Sequence, residues 1–138
     1  MKKFVSLFVV AIVTVVFFSS WQQEEEKEFI LIFRNVYNPD YKPSPEQMNA
    51  GILQWKNWIG NVASKGKFVS TNRLGFQGKV INAKTIAPGP YTSNKESVGG
   101  YMLIKANSIE EASNFAKDCP ILKMGGSVEI RDILKMKK

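Results

Sequence analysis

The sequence predicts an α+β domain in which two helices cover one face of an antiparallel sheet. Apolar runs of strand length occur at 29–33 and 101–104, and helix-start signals occur at Ser44 and Ser108. The elements follow the order β-α-β-hairpin-β-α-β, which is the ferredoxin-like β-α-β-β-α-β arrangement with an extra hairpin. The second face of such a sheet has no helix. Its apolar strands therefore predict a homodimer, in which a second copy covers that face.

The N-terminal twenty residues predict export. Met1-Lys2-Lys3 precedes an apolar run at 4–18, which is shorter than the roughly 20 residues that span a bilayer. This pattern is typical of a signal peptide, and Ser19-Ser20 supplies small residues for cleavage. Because two phenylalanines stand before these serines, an uncleaved anchor is the alternative, and it would be the only contact with a membrane. We expect a bacterial protein that is periplasmic or anchored in the inner membrane.

Residues 21–28 form an acidic linker, and residues 29–138 form the predicted domain. Its first strand, 29–33, ends at Arg34, and a loop with two prolines leads to the first helix. That helix has Ser44 as N-cap and a proline at its first position, and it is expected to end at Gly66. One stripe of the helix is apolar: Met48, Ile52, Trp55, Ile59 and Val62.

The second half of the chain carries the stronger signals. A strand begins at Lys67, and the pattern at 74–81 predicts a hairpin around Gln77-Gly78, followed by a loop over 87–96. The continuous apolar run at 101–104 indicates a central strand, and Gly99-Gly100 before it indicates a bulge or a close backbone approach. Three further features complete the domain: a Ser108/Glu111 capping box, a helix end at Pro120, and an alternating strand at 128–133.

Composition excludes several function classes. The chain has a net charge of +7, one cysteine and no histidine. A single cysteine cannot form an intrachain disulfide, and without histidine the common zinc sites and the Ser-His-Asp triad are excluded. The basic residues are scattered singly, whereas proteins that bind nucleic acid usually concentrate them on one face. We therefore expect no metal, no cofactor and no nucleic-acid partner.

Several motifs occur in a fixed order along residues 29–133: FILIFR (29–34), SPEQM (44–48), WKNWIGNVASKGKFV (55–69), GPYTSNKESVGGYMLIKA (89–106), EEASNFAKDCP (110–120) and GGSVEIRDI (125–133). In this order they resemble the YCII-related proteins, specifically the branch called the DGPF domain. The resemblance implies a dimeric α+β barrel built from two ferredoxin-like subunits. The family's function is largely undefined, although some YCII relatives act as small-molecule enzymes through a His-Asp pair.

This sequence departs from that family at two points. It has no histidine, so the His-Asp chemistry is not carried over. The usual Asp-Gly-Pro-Phe signature stands here as Pro88-Gly89-Pro90-Tyr91, which lacks the acidic residue.

Five residues are candidates for ligand binding. The guanidinium of Arg34 can bind a carboxylate as a fork, or it can form an ion pair with Glu96 or Asp132. The two tryptophans on the first helix are either both core residues, or one of them lines a pocket, and Trp58 is the candidate for that role. The remaining candidates are Tyr91 and Lys95 on the loop before the central strand, and Tyr101 within it.

Three functions remain open at this point. The first is a dimer that binds a small, apolar and anionic ligand. The second is a metal-free lyase or isomerase that uses Glu96 or Asp132 together with Arg34. The third is a tethered module that binds a protein partner. A cavity of roughly 300 Å³ or more favours the first function over the third, because ligand sites need that volume.

Overall fold

The computed structural model describes residues 25–136. The predicted signal peptide or anchor lies outside these residues. The described part of the chain contains ten elements: β1 (Lys27–Val36), α1 (Pro45–Ser64), β2 (Phe68–Arg73), β3 (Gly78–Ile81), β4 (Ile86–Gly89), β5 (Thr92–Ser93), β6 (Glu96–Ala106), α2 (Ile109–Ala116), α3 (Pro120–Lys123) and β7 (Ser127–Asp132).

The main sheet has the strand order β2-β6-β1-β7, and the short β5 pairs with β6. Every pair in it is antiparallel, and β3 and β4 form a separate two-stranded hairpin. The predicted central position of the 101–104 run is confirmed, since β6 lies between β1 and β2. The α+β class is confirmed as well, whereas the ferredoxin-like assignment and the dimeric barrel stay predictions.

All three helices contribute side chains to one core on one face of this sheet. Phe29, Leu31 and Phe33 alternate along β1 and are buried, and Met102 and Ile104 of β6 lie beside them. Because side chains alternate along a strand, Ile30 and Ile32 point to the opposite face. The sheet therefore has a helix-covered face, which holds the core, and an open face.

The start and end of α1 are as the sequence predicts. The Ser44 hydroxyl accepts a hydrogen bond from the Gln47 backbone N–H, and the Gln47 side chain accepts one from the Ser44 N–H. This reciprocal capping box satisfies two N–H groups that the first turn leaves without helical partners. After the helix, Gly66 has φ +70°, a left-handed conformation that glycine adopts at little cost.

The start of α2 differs from the prediction by one residue. Ser108 caps the Glu111 N–H as expected, but the Glu111 carboxylate accepts from the N–H of Asn107 rather than from that of Ser108. The predicted role of Pro120 is wrong, because α2 ends at Ala116 and Pro120 begins α3. Proline is tolerated at a first helical position, since its missing N–H has no partner there.

The predicted hairpin around Gln77-Gly78 is wrong. The hairpin is formed by β3 and β4, and its turn lies at Asn82–Thr85. The Asn82 side-chain oxygen accepts hydrogen bonds from the N–H groups of Lys84 and Thr85, 2.9 Å each. This asparagine side chain closes the turn that a glycine signal was expected to close. Much of the expected loop over 87–96 is consequently strand, in β4 and β5.

Lys67, just before β2, joins three parts of the fold. Its ammonium group forms ion pairs with Glu26, which precedes β1, and with Glu111 of α2. The hydrogen bond to Glu26 is the main reason that the pKa of Lys67 is raised.

No helix in residues 25–136 is both long and apolar enough to cross a membrane.

Candidate functional site

A cavity of about 500 Å³ lies between α1 and the helix-covered face of the sheet. Its sheet wall comes from the C-terminal ends of β1 and β2 and from the first half of β6. Residues of α3 and of the loops complete it. The lining residues are Phe33, Asn35, Tyr41, Pro43, Gln47, Met48, Gly51, Ile52, Trp55, Lys56, Ile59, Thr71, Asn72, Arg73, Gly99, Gly100, Ile121 and Met124.

The cavity exists because the apolar stripe of α1 is longer than the core beneath it. At the C-terminal end of the helix, Trp58 and Val62 are buried in the core. At the N-terminal end, Met48 and Ile52 are 52% and 47% exposed and line the cavity. The N-terminal half of the stripe thus faces open space, where an apolar guest would find apolar contacts.

An aromatic cluster forms the edge of the core that faces the cavity. The rings of Phe33, Trp55 and Trp58 meet edge to face, with centroids 5.1 to 5.8 Å apart. Phe33 and Trp55 also line the cavity, whereas Trp58 does not. Such edge-to-face contacts hold the rings in place, so the inner wall of the cavity is aromatic and fixed.

The charged groups that line the cavity are both positive. Lys56 of α1 and Arg73 of β2 are its charged lining residues, and no aspartate or glutamate lines it. Neither cation forms an ion pair with a residue in the range 25–136. The cavity therefore favours an anionic guest over a cationic one.

Asn35 places an amide at the sheet wall. Its Oδ1 is buried and makes no hydrogen bond within the described residues. The amide packs so closely against Gly99 that a Cβ there would lie 2.5 Å from the Asn35 Nδ2. A buried amide oxygen without a partner is costly, so a donor supplied by a guest or by water would stabilise this position.

Arg34 and Tyr101 lie on the open face of the sheet and do not line the cavity. Arg34 donates to the carboxylate of Glu129 on β7, so its partner is neither of the two predicted acids, Glu96 and Asp132. This hydrogen bond is the main reason that the pKa of Glu129 is lowered. The Tyr101 hydroxyl accepts a hydrogen bond from the Asn72 side chain at 3.1 Å.

The other three ligand-binding candidates are also away from the cavity. The indole of Trp58 is buried and donates to the Phe115 carbonyl at 3.0 Å, so Trp55 is the tryptophan that lines the cavity. Tyr91 is 71% exposed. Lys95 occupies the two-residue turn between β5 and β6 with φ +61°. The structure thus does not bring the five predicted residues together.

The two candidate catalytic acids lie at opposite ends of the sheet. Glu96 pairs with Val36 and Asp132 pairs with Phe29, at the two ends of β1. Seven residues of extended strand correspond to about 23 Å. Glu96 and Asp132 therefore cannot act as a pair within one subunit, and neither lines the cavity.

Cys119 is buried between α2 and α3. Burial raises the pKa of its thiol to about 11. The thiolate is the reactive form of cysteine, so this residue acts as a small apolar core residue. Residues 25–136 contain no group of three or more His, Cys, Asp or Glu side chains that could hold a metal ion.

Comparison with protein families identifies the domain. The model of the YCII-related domain matches residues 22–137. The chain belongs to the YCII-related domain family. No curated protein matches the chain. The YCII-related domain thus spans β1 to β7, and it includes both walls of the cavity.

Sequence reasoning selected none of the residues that line the cavity of this YCII-related domain as ligand-binding candidates, and Asn35, Gly51 and Arg73 are three of those it missed. Gly51 could have been selected from the sequence, because a glycine inside a helical pattern destabilises the helix and often has a packing or functional role. Arg73 and Asn35 carried no such signal. Only the sheet register shows that both stand at the same end of the helix-covered face.

Proposed function

We propose that this YCII-related protein is an exported homodimer that binds a small organic anion with an apolar body in the cavity beneath α1. The observation that carries the proposal is the cavity itself. Its volume of about 500 Å³ exceeds the roughly 300 Å³ that a ligand site needs. A partner-binding module needs no such space.

The charge of the cavity supports an anion as the ligand. Arg73 and Lys56 stand on opposite walls, on the sheet and on the helix, without an acidic neighbour in the lining. A guanidinium can bind both oxygens of a carboxylate, and an ammonium group adds a second attractive charge. The aromatic wall of Phe33 and Trp55 would contact the apolar body.

The open face of the sheet supports the homodimer. Ile30 faces Leu103 and Ile32 faces Tyr101 across the β1–β6 pair, which makes an apolar strip on this face. Charged side chains, Arg34 with Glu129, border the strip. A second copy that packs here would bury the strip. Light scattering of the full-length chain should give twice the chain mass, and Leu103→Lys should give the monomer.

Export is the remaining part of the proposal and rests on the apolar run at 4–18. Fractionation of bacterial cells should find the protein in the periplasm or the inner membrane. Mass spectrometry of that protein then distinguishes a cleaved leader from a retained anchor.

Calorimetric titration tests the binding function. The full-length chain is titrated with octanoate and 2-naphthoate, and with octan-1-ol and 2-naphthalenemethanol as uncharged analogues. We expect the anions to bind more tightly than the alcohols. Arg73→Gln should weaken anion binding about tenfold, because it removes a charged hydrogen bond. Arg131→Gln is the matched control, since Arg131 is exposed on β7 and lies outside the cavity.

The outcome of this titration shows whether the anion binds in the cavity or at Arg34 on the open face. If Arg34→Ala weakens anion binding and Arg73→Gln does not, the site lies on the open face and the cavity proposal is wrong. If none of the four compounds binds, the ligand-binding function itself fails and the partner-binding module becomes the better hypothesis. An enzymatic role for Glu96 or Asp132 would require that a bound compound is converted and that Glu96→Gln or Asp132→Asn stops the conversion.

A further inference from the structure

Both walls of the cavity contain glycine. Gly51 lies on the helix wall, and Gly99 and Gly100 lie on the sheet wall. Gly100 stands directly between Phe33 of β1 and Arg73 of β2 in the sheet register. The space around each of these glycines decides whether a guest can approach the backbone there.

The sheet glycines have a structural reason. A Cβ at Gly99 would lie 2.5 Å from the Asn35 amide, and one at Gly100 would lie 2.8 Å from the Asn72 carbonyl oxygen. Both approaches are closer than atoms can tolerate. Gly100 is thus required by the fold itself, whereas a side chain at Gly99 would displace the Asn35 amide.

Gly51 has no such reason. A Cβ at this position would meet no atom of the described residues within 4 Å. Glycine inside a helix destabilises it relative to alanine, because glycine loses more backbone freedom on folding. Gly51 lies one helical turn from Gln47 and one turn from Trp55, so the missing side chain leaves a gap beside the indole.

We propose that the ligand is a flat aromatic anion whose ring occupies the gap at Gly51 against Trp55 and whose charged group binds Arg73. This inference rests on the proposed function and narrows its ligand class. A flat ring can occupy the space that Gly51 leaves on the helix wall, and its edge can extend the edge-to-face cluster of Phe33 and Trp55. Gly51 is then the residue that limits the thickness of the ligand.

A pair of matched variants tests this inference. Gly51→Leu fills the gap, and Gly60→Leu places the same side chain on an exposed position of the same helix, outside the cavity. The full-length variants are titrated with 2-naphthoate and octanoate, and circular dichroism checks their folding. We expect Gly51→Leu to weaken 2-naphthoate binding at least about tenfold, as blocked apolar contacts do, and Gly60→Leu to leave it unchanged. If Gly51→Leu does not fold, Gly51→Ala and Gly60→Ala are titrated and compared in the same way.

Two results would overturn the inference and leave the proposed function standing. In the first, octanoate binds in an Arg73-dependent manner and 2-naphthoate does not bind. In the second, 2-naphthoate binds equally well to the Gly51 and Gly60 variants. Absence of binding for both anions would overturn the inference together with the function.

Discussion

Arg34 and Glu129 form an ion pair across β1 and β7 on the open face of the sheet. The sequence places Arg34 at the end of a strand and predicts that it binds a carboxylate ligand or forms an ion pair. The structure gives it a carboxylate partner within the same domain. A guanidinium whose charge is already balanced by a carboxylate attracts an anionic ligand less strongly, whereas Arg73 at the cavity has no ion-pair partner among the described residues.

The first prediction concerns this pair. A double-mutant cycle with Arg34→Ala and Glu129→Gln should show a small favourable coupling, because both side chains are about one third exposed. The lowered pKa of Glu129 means that the stabilisation is present above the pKa of the unfolded chain and is lost as the pH falls through the folded value. Urea unfolding at several pH values measures this. A coupling that persists in acid would contradict it.

The second prediction concerns the turn between β5 and β6. Asn94 and Lys95 have φ +51° and +61°, and a two-residue hairpin turn with two positive φ values favours Asn-Gly. Lys95→Gly should therefore raise the free energy of unfolding by about 0.5 kcal/mol, because the left-handed conformation costs glycine nothing. Asn94→Gly is the control and should gain less, since asparagine tolerates this conformation. Urea denaturation compares the two, and a loss of stability in Lys95→Gly would refute the argument.

The third prediction concerns Gly126, the residue directly before β7. A Cβ there would overlap the Arg34 carbonyl oxygen and would lie 2.7 Å from the Ile121 side chain. Gly126→Ala should cost at least about 3 kcal/mol, since a backbone atom cannot move aside without disturbing the β1–β7 pair. Gly75→Ala is the matched control, because a Cβ at Gly75 meets nothing within 4 Å. Equal stability of the two variants would show that the backbone relaxes easily here.

The fourth prediction separates the stability of α1 from its function. Gly51→Ala and Gly60→Ala should each raise the free energy of unfolding by about 0.5–1 kcal/mol, because both add a good helix former where nothing obstructs the methyl group. Only Gly51→Ala should also reduce binding. A stabilised protein with a weaker site would indicate that glycine is tolerated at this position for the space it leaves. Thermal unfolding gives the first quantity and calorimetry the second.

The fifth prediction concerns Cys119. With the pKa of its thiol raised to about 11, roughly one thousandth of the thiol is ionised at pH 8. Iodoacetamide should therefore leave the folded protein unmodified and alkylate it readily in urea, as mass spectrometry would show. Because the pKa of the thiol is raised in the folded protein, the thiol contributes fully to stability below the pKa that it has in the unfolded chain. This contribution declines as the pH rises towards 11. In Cys119→Ala, the free energy of unfolding should not show the part of this decline that comes from the thiol.

The parts of the fold that local signals determine were predictable. Ser44 and Ser108 cap the helices because each can bond an N–H three residues later, and that spacing is visible in the sequence. The hairpin was not predictable from its glycine, because the Asn82 side chain forms the turn instead. Two kinds of turn chemistry competed, and the sequence does not rank them.

The candidate site was predicted less well, since it depends on relationships between distant elements. The partner of Arg34 follows from the register of β1 with β7, and the position of Arg73 follows from that of β2 with β6. The cavity arises because α1 extends beyond the core that Trp58 and Val62 complete. Neither a register nor the end of a core can be read from spacing along one element.

The direction of β1 has a consequence for a chain that keeps its N-terminal anchor. The strand begins at Lys27, and the cavity lies at its other end, beside Phe33 and Asn35. Eight residues of extended strand correspond to about 26 Å. In an anchored chain, the segment from the anchor would therefore join the domain at the end of β1 that is away from the cavity, so the tether would not need to cross the proposed ligand site.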